Sequence, residues 1–321
     1  MLTKRIKIIN CYFGKLPAMF PLWIETCSRN KGIDFMIVTD QHIECNSENV
    51  QIVNLTFLEL KVLIAKKMPF SVTLEKPYKL CDYKIAYGII FSEYLVGYDF
   101  WGHCDNDMLF GKLDDFLSDE LLDKYPKFLY LGHLSLYKNV EEINKLVITN
   151  NELFDWNQVY SGLNVCGIDE DTGIYRLYKK KNIPVYDKRI FFDIDPYSSY
   201  MKLDNRINKR MGRSRDVNYR KQVFVWENGK VFRYYSRRGI ILSEQAAYIH
   251  CGKNQIKQID VSENHNMLIF SKNCIHAVRK DEITISDFAK YNRFSIVDMV
   301  NDQATILITK VKRRIRMLRV R

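Results

Sequence analysis

The sequence predicts an α/β fold in which a mainly parallel sheet is flanked by helices and followed by a basic helical tail. Strand-like and helix-like segments alternate over the first hundred residues, which is the pattern of a parallel sheet. Apolar residues make up 47% and charged residues 27% of the 321 residues, a balance typical of globular proteins and not of disordered or fibrous ones. Basic residues surround an apolar stripe at helical spacing in residues 304–321.

Short apolar runs mark the strands of the first half, and apolar residues at helical spacing mark the helices between them. The predicted strands are Ile6–Tyr12, Asp34–Val38, Gln51–Leu55 and Tyr98–Cys104. The predicted helices are Ala18–Arg29 and Leu80–Val96. Ligands of parallel α/β sheets bind outside the carboxyl ends of the strands, so the residues that follow each strand are candidates for a binding site.

Two aspartates, Asp105 and Asp107, directly follow the fourth predicted strand. Alternate residues of an extended segment point the same way, so the two carboxylates can converge on one point. Oxygen ligands at this spacing suit Mg²⁺ or Mn²⁺. The alternative interpretation is a pair of solvated turn acids that cap the next helix.

Three other polar features need an interpretation. A second acidic pair lies in Phe192–Pro196, but a proline closes it and no glycine turn follows, which favours a turn at a strand end over a metal site. His103 lies within an aromatic strand and is interpreted as support behind the first acidic pair. His133 is interpreted as a residue that faces an acceptor.

These segments resemble the glycosyltransferases of the GT-A fold, whose DxD motif holds a divalent cation against a nucleotide-sugar diphosphate. More narrowly, the chain is similar to a bacterial glycosyltransferase-type family encoded with capsule and O-antigen genes. The matching segments are 9–40, 76–88, 100–113, 130–139, 167–187 and 222–254. The resemblance implies a GT-A-like domain over residues 1–255 and a C-terminal extension over 256–321.

The resemblance also implies a metal site. Asp105 and Asp107 match the DxD motif, with Asp107 as the more direct ligand of Mn²⁺ or Mg²⁺, and His250 matches a late histidine that completes such sites. The alternative for His250 is a buried, hydrogen-bonded strand histidine. Lys253 follows as a cofactor-binding residue, although Cys251 and the glycine after it depart from the aromatic and basic residues usual there.

A nucleotide site is implied in the same way. Asn10, Tyr12, Thr39 and Asp40 match the positions that bind the base and ribose, and Asp105 also contributes to this cofactor site. Lys79, Asp82 and Lys84 surround the start of a predicted helix, where a diphosphate could bind. The alternatives are ordinary turn residues for the first set and a solvated helix cap for the second.

The acidic run Gly167–Gly173 offers a general base or an acceptor-binding carboxylate. Asp169 and Glu170 are the candidates, with Asp171 behind them. In an inverting transfer a carboxylate takes the proton of the attacking hydroxyl, and in a retaining transfer it can steady the oxocarbenium face. The alternative is a surface turn between a strand and a helix.

The net charge of +11 is concentrated in two basic segments. Residues 206–221 lack an apolar period and predict a mobile loop, either a lid over a diphosphate or over the lipid phosphate of an acceptor, or a solvated loop. Residues 304–321 predict a helix for an anionic inner membrane surface or, alternatively, one docked on its own domain. No aromatic residues alternate with the basic residues of this helix, so nucleic acid is not an expected partner.

With the acidic pair after the fourth strand, the resemblance implies a metal-dependent glycosyltransferase that uses a nucleoside-diphosphate sugar, with UDP as the expected nucleotide, and a glycan or lipid-linked glycan acceptor. Eight cysteines without a CxxC pair, and an N-terminus without a secretory signal, predict a cytoplasmic protein. The basic helix predicted over 304–321 adds the expectation of a peripheral contact with the inner face of the cell membrane. The alternatives are a sugar nucleotidyltransferase and a non-catalytic protein that binds anions or nucleic acid. The sequence leaves the donor sugar, the acceptor, the stereochemical outcome and the oligomeric state open.

Overall fold

The computed structural model describes residues 2–149, 151–252, 256–260, 265–295, 297 and 300. The described chain divides into two compact units. The first unit comprises residues up to Asn106 together with Lys112–Arg189, and the second comprises Asp107–Gly111 and the described residues from Ile190 onwards. The predicted division after residue 255 stays a prediction.

Short helices and strands follow one another along the chain. The helices are α1 Phe20–Arg29, α2 Phe57–Lys67, α3 Tyr87–Ile90, α4 Asp119–Lys124, α5 Glu141–Asn144, α6 Trp156–Ser161, α7 Ile174–Lys180, α8 Arg206–Arg210 and α9 Ile285–Tyr291. Strands of the first half are β1 Ile6–Tyr12, β2 Asp34–Thr39, β3 Val50–Asn54, β4 Phe100–Cys104, β5 Met108–Phe110, β6 Lys127–Leu131, β7 Leu134–Lys138 and β8 Val185–Tyr186. Strands of the second half are β9 Phe191–Asp193, β10 Gln222–Glu227, β11 Lys230–Arg237, β12 Ile240–Ala246, β13 Tyr248–His250, β14 Gln258–Asp260, β15 Met267–Ser271 and β16 Cys274–Val278.

The first unit contains a seven-stranded sheet in the order β3-β2-β1-β4-β7-β6-β8. Strands β1 to β4 run parallel, as the sequence predicts, and the predicted positions of these strands and of α1 are confirmed within two residues at each end. Successive residues Ile8 and Ile9 of β1 are both fully buried. Because successive side chains point to opposite faces, the sheet is covered on both sides.

The predicted helix Leu80–Val96 is replaced by short 3₁₀ segments around α3. Asp82 and Lys84, for which the alternative interpretation was a solvated helix cap, are both buried. Asp82 accepts from the backbone amide of Gly167, and Lys84 donates to the carboxylates of Asp105 and Asp169. These contacts with residues distant in the chain have no counterpart in the local apolar spacing that predicts a regular helix.

Lys127, at the start of β6, is fully buried. Its ammonium donates to Ser135 Oγ at 3.0 Å and lies 4.2 Å from the centre of the Tyr137 ring. Burial lowers the pKa of Lys127 to about 7, and the charge of Asp169 opposes this only in part. About half of the folded molecules therefore carry an uncharged Lys127 amine at neutral pH, whereas a lysine of the unfolded chain stays charged up to about pH 10.

The Lys127→Met variant tests this buried amine. Between about pH 7 and pH 10 the unfolded chain binds more protons than the folded chain, so the free energy of unfolding of the wild type rises with pH. We expect this rise to exceed that of the variant by about 3 kcal/mol between pH 7 and pH 9.5. Urea unfolding at several pH values measures the free energy of unfolding of both proteins. An equal rise with pH in the wild type and the variant would contradict the lowered pKa of Lys127.

The second unit contains two sheets. The six-stranded sheet has the order β12-β11-β10-β15-β16-β14 and is antiparallel except for the β14–β16 pair. The three-stranded sheet has the order β5-β13-β9. The α/β class is therefore confirmed, but a mainly parallel arrangement holds only among the strands of the first unit.

Two predictions concern basic segments and the membrane. The segment 206–221 is not all loop, because Arg206–Arg210 forms α8. Asn208 Nδ2 in this helix donates to Asp216 Oδ2 at 2.9 Å, a hydrogen bond that links the helix to the following residues. The predicted C-terminal helix over 304–321 and Lys253 lie outside the described residues. Within the part of the chain that the structure describes, no helix has the length and apolar character needed to cross a membrane.

Candidate functional site

The first unit brings polar residues to the carboxyl ends of β1 and β4. The strand order changes direction between these two strands, since β2 and β3 lie on one side of β1 and β4 on the other. Such switch points are where open α/β sheets bind ligands. Asn10, near the end of β1, donates from Nδ2 to the carbonyl oxygen of Cys104 at 2.8 Å, while its buried Oδ1 has no hydrogen-bond partner among the described residues.

Lys84 is the centre of a charged cluster at the same end of the sheet. Its ammonium lies 2.6 Å from Asp105 Oδ1 and 3.2 Å from Asp169 Oδ2, and it also donates to the carbonyl oxygen of Gly132 at 3.1 Å. Burial alone would lower the pKa of Lys84, but the two carboxylates raise it well above the ordinary value. Lys84 is therefore a fixed positive charge that holds two predicted site carboxylates together.

Asp169 and Glu170 have carboxyl groups that are harder to ionise than usual. Burial raises the pKa of Asp169, against the attraction of Lys84. Burial, together with the neighbouring charge of Asp169, raises the pKa of Glu170 to about 7. The amide of Gly132 points to Glu170 Oε2 at 3.4 Å. A carboxylate with a pKa near neutrality is suited to accept a proton in catalysis.

Gly132 allows this cluster to form because it has no side chain. A β-carbon at this position would lie 2.3 Å from Asp169 Oδ2 and 3.2 Å from Glu170 Oε1. Both distances are shorter than ordinary contacts, and the atoms concerned belong to buried or half-buried carboxylates. A larger residue would therefore displace Asp169 from Lys84.

We expect Gly132→Ala to destabilise the protein by about 1–3 kcal/mol, the usual cost of overpacking, and to impair any reaction that uses Asp169 or Glu170. Urea unfolding gives the stability change. Gly32→Ala is the matched control, because its nearest neighbour would be a carboxylate oxygen of Asp114 at 3.3 Å. Equal stability of the two variants would contradict the close approach at Gly132.

Lys79 and Asp82 form a separate, structural pair. The Lys79 ammonium lies 2.8 Å from Asp82 Oδ2 and also donates to the carbonyl oxygens of Val159 and Asn164. The Asp82 carboxylate accepts from backbone amides of residues 166–168. Both side chains are therefore engaged in positioning the chain that leads into Asp169, and neither belongs to the proposed ligand set.

The other predicted nucleotide-binding residues lie at the ends of β1 and β2. Thr39 is fully buried, and its Oγ1 accepts from the amide of Gln41 at 3.1 Å. Asp40 is exposed, and hydrogen bonds from Gln41 and from the amide of Gly14 lower its pKa. Tyr12 donates its hydroxyl hydrogen to the carbonyl oxygen of Lys15. These contacts hold the two strand-end loops together within the first unit.

The second unit contains the other half of the predicted metal set. His250 is the last residue of β13, between β5 and β9. Its Nε2 lies 3.3 Å from Asp107 Oδ1, and its Nδ1 lies 2.8 Å from Asp193 Oδ1. The amide of Cys251 donates to the carbonyl oxygen of Asp107 at 2.9 Å, which fixes the backbone beside the histidine. Each ring nitrogen therefore faces a carboxylate.

The charges around His250 fit a cation. Burial alone would lower the pKa of His250, but Asp107 and Asp193 raise it well above the ordinary value. The imidazole is therefore protonated at neutral pH and carries the positive charge that the two carboxylates attract. A divalent cation can take the place of the Nε2 proton, and a set of carboxylate oxygens and an imidazole nitrogen suits Mn²⁺.

The structure thus places the predicted residues in two groups. The first unit brings Lys84, Asp105 and Asp169 together, and the second brings Asp107 and His250 together.

The other two predicted histidines lie in the first unit. The carbonyl oxygen of His133 accepts a hydrogen bond from the backbone amide of Asp105. Burial lowers the pKa of the His103 imidazole. The sequence interpretation missed the contact of Asp193 with His250, although Asp193 does end a strand as predicted.

Comparison with known proteins identifies a family but no activity. A model described as a family of unknown function (DUF6625) matches residues 8–278. A search of curated proteins finds no match. The chemistry must therefore be inferred from the residues themselves.

Proposed function

On the premise that this chain belongs to DUF6625, a family of unknown function, we propose that it is a metal-dependent glycosyltransferase. It moves a sugar from a nucleoside-diphosphate sugar, with UDP as the expected nucleotide, to a glycan or lipid-linked glycan. The fold proposed for the first unit is GT-A-like, supported by its parallel strands and by the DxD motif after β4. The observation that carries the proposal is the pairing of Asp107, the second aspartate of that motif, with His250.

The proposed cation is Mn²⁺ or Mg²⁺, with Asp107 and His250 as ligands. Asp105 joins this set on its sequence spacing alone, since it precedes Asp107 by two residues. When bound, the cation supplies Lewis-acid stabilisation of the charge on the departing diphosphate. Asn10 supports the nucleotide part of the proposal, because its buried Oδ1, without a partner among the described residues, would accept a hydrogen bond from a ligand.

The proposed proton acceptor is Glu170. Asp169 holds the Lys84 ammonium in place on the side of the cluster where the glycan would bind. A base with a pKa near the working pH is most effective, and Glu170 meets this condition. Lys84 stays protonated and holds Asp105 and Asp169 while the proton moves. This assignment applies to a direct transfer in which the acceptor hydroxyl attacks the sugar.

The pH profile tests the role of Glu170. We expect the transfer rate to rise with pH through an apparent pKa of about 7, because only the ionised carboxylate accepts a proton. The Glu170→Gln variant should lose this rising limb together with about 10²–10⁴-fold of its rate. A variant that keeps the wild-type pH profile would exclude Glu170 as the base.

The activity itself is tested with a panel of nucleoside-diphosphate sugars in the presence of Mn²⁺, Mg²⁺ or EDTA. Release of the nucleoside diphosphate measures transfer to water or to an added glycan. We expect one nucleotide family to react and only when a cation is present. Turnover that survives EDTA would overturn the metal-dependent mechanism, and the absence of turnover with every donor and acceptor would remove support for a transferase.

The proposed acceptor site lies at the anionic inner surface of the cell membrane, where surface polysaccharides of the capsule or O-antigen type begin as lipid-linked glycans. The basic residues of 304–321 supply the attraction in this proposal. Binding of the full chain to vesicles with and without anionic lipid tests it. Equal binding to neutral vesicles would contradict an electrostatic contact.

A further inference from the structure

The contact between Asp193 and His250 is built into neighbouring strands. Strands β9 and β13 run parallel, and Asp193 is directly opposite His250 in their register. The amide of Ile194 donates to the carbonyl oxygen of His250 at 3.0 Å, and the amide of Asp204 donates to the carbonyl oxygen of Asp193 at 2.7 Å. Backbone bonds on both sides therefore fix the position of the Asp193 carboxylate, only 8% of whose residue surface is exposed.

The two ring nitrogens of His250 have different neighbours. Asp193 Oδ1 lies 2.8 Å from Nδ1, a hydrogen-bond distance, while Asp107 Oδ1 lies 3.3 Å from Nε2. A carboxylate can only accept hydrogen bonds, so it requires a hydrogen on the nitrogen that faces it. Asp193 therefore keeps the hydrogen on Nδ1, and Nε2, on the side of Asp107, is the nitrogen that can exchange its hydrogen for a cation.

We propose that Asp193 is a positioning residue that holds His250 in the Nδ1–H tautomer so that Nε2 can bind a divalent cation together with Asp107. The proposal rests on the cation site of the proposed function. The Nε2 proton of the metal-free imidazolium passes to solvent as the cation binds, so one positive charge leaves as the cation enters. Histidine ligands of metals commonly have such a carboxylate on the other nitrogen, and its loss weakens metal binding by about 10- to 100-fold.

The two aspartates of the segment Phe192–Pro196 therefore have different roles. Asp195 does not have the same surroundings as Asp193, because its carboxylate accepts from the amide of Tyr197 at 3.0 Å and lies 3.6 Å from the Lys202 ammonium. The two aspartates are two residues apart and both are largely buried. Asp195→Asn is thus a matched control for Asp193→Asn.

The affinity for Mn²⁺ alone, measured by the electron paramagnetic resonance signal of free Mn²⁺, tests the proposal. We expect Asp193→Asn to raise the dissociation constant about 10- to 100-fold and Asp195→Asn to leave it unchanged. Because Asp193 acts through the histidine, Asp193→Asn should add little to His250→Gln in the double variant. Thermal unfolding without metal checks that the variants are folded.

The outcomes separate this inference from the proposed function. If the wild type binds Mn²⁺ and Asp193→Asn binds it equally well, the inference fails while the metal site stands. If the losses of the two single variants add in full in the double variant, Asp193 acts independently of His250 and the positioning role is overturned. If the wild type has no affinity for Mn²⁺, the metal site of the proposed function fails, and the inference with it.

A second measurement needs no variant at position 193. Nitrogen-15 spectra of histidine-labelled protein with Mg²⁺ report the protonation of both ring nitrogens, and His250→Gln identifies the His250 signals among the six histidines. We expect a protonated Nδ1 and an unprotonated Nε2. An unprotonated Nδ1 in the Mg²⁺-loaded protein would overturn the proposal even if the Asp193→Asn variant could not be purified.

Discussion

Replacing Asp107 with asparagine is expected to lower cation-dependent sugar transfer by about 10²–10³-fold. The amide keeps the size of the side chain but removes the charge that faces the His250 imidazole at 3.3 Å. A loss of this size corresponds to about 3–4 kcal/mol of transition-state stabilisation, within the several kcal/mol that a Lewis-acid cation supplies. The rate at saturating Mn²⁺, measured with the donor that the wild type uses, gives the result.

The matched control is Asp123→Asn, which removes an equal charge from an exposed aspartate on α4 that pairs with Lys4. Its transfer rate should equal that of the wild type. If Asp107→Asn also transferred sugar at the wild-type rate, Asp107 would not be a metal ligand. The DxD motif would then be the pair of turn acids that the sequence left open.

Replacing Lys84 with methionine is expected to destabilise the protein by about 3 kcal/mol at neutral pH. The ammonium lies within 3.2 Å of Asp105 and Asp169, and its removal leaves two carboxylates without their positive partner. Breaking a buried ion pair by removing one partner is strongly destabilising. Asp105 is about one-third exposed. The expected cost is therefore at the lower end of the about 3–5 kcal/mol usual for removing one partner of a buried ion pair.

The pH dependence of this cost identifies its origin. Burial already raises the pKa of the Asp169 carboxyl, and without Lys84 this pKa rises further above its unfolded value, so the added instability is present above that pKa. It shrinks as the pH falls and the Asp169 carboxyl takes up a proton. Urea unfolding at about pH 4 and pH 7 measures the difference, with the exposed Lys76→Met as the control. A cost that does not change with pH would indicate lost packing and not lost charge.

The parallel half of the fold is predictable from local patterns. The run Ile6–Tyr12 coincides with β1 because a short apolar segment before a glycine has few other ways to bury both faces. The segment Leu80–Val96 has apolar residues at helical spacing, which predicts a single helix. That prediction is wrong because long-range partners turn Asp82 and Lys84 inward, and periodicity contains no information about those partners.

The antiparallel sheet of the second unit was missed although the sequence contains a signal for it. Asn228 and Gly229, with φ of 50° and 76°, form the two-residue turn between β10 and β11. Arg238 and Gly239 occupy the same place between β11 and β12, with φ of 53° and 81°. An Asn-Gly pair between alternating apolar segments is a strong hairpin signal.

The candidate site was predictable in its residue types but not in its contacts. The spacing of Asp105 and Asp107 drew attention to the end of β4, and the acidic run drew attention to Asp169. The approach of Asp169 to Gly132, and of Asp193 to His250, joins residues far apart in the chain. Contacts of Lys84 and Asp82 bring Asp169 to its place, and the register of β9 and β13 brings Asp193 to His250.

Equilibrium binding of nucleoside diphosphates to the wild type, with Mn²⁺ and with EDTA, tests the central claim most directly. Isothermal titration with UDP, and then with the diphosphates of the other bases, measures the affinity under both conditions. We predict that one nucleotide binds, that Mn²⁺ is required, and that Asp107→Asn abolishes the binding. Equal binding in EDTA, or no binding of any nucleotide, would contradict a metal-dependent transferase that uses a nucleoside-diphosphate sugar.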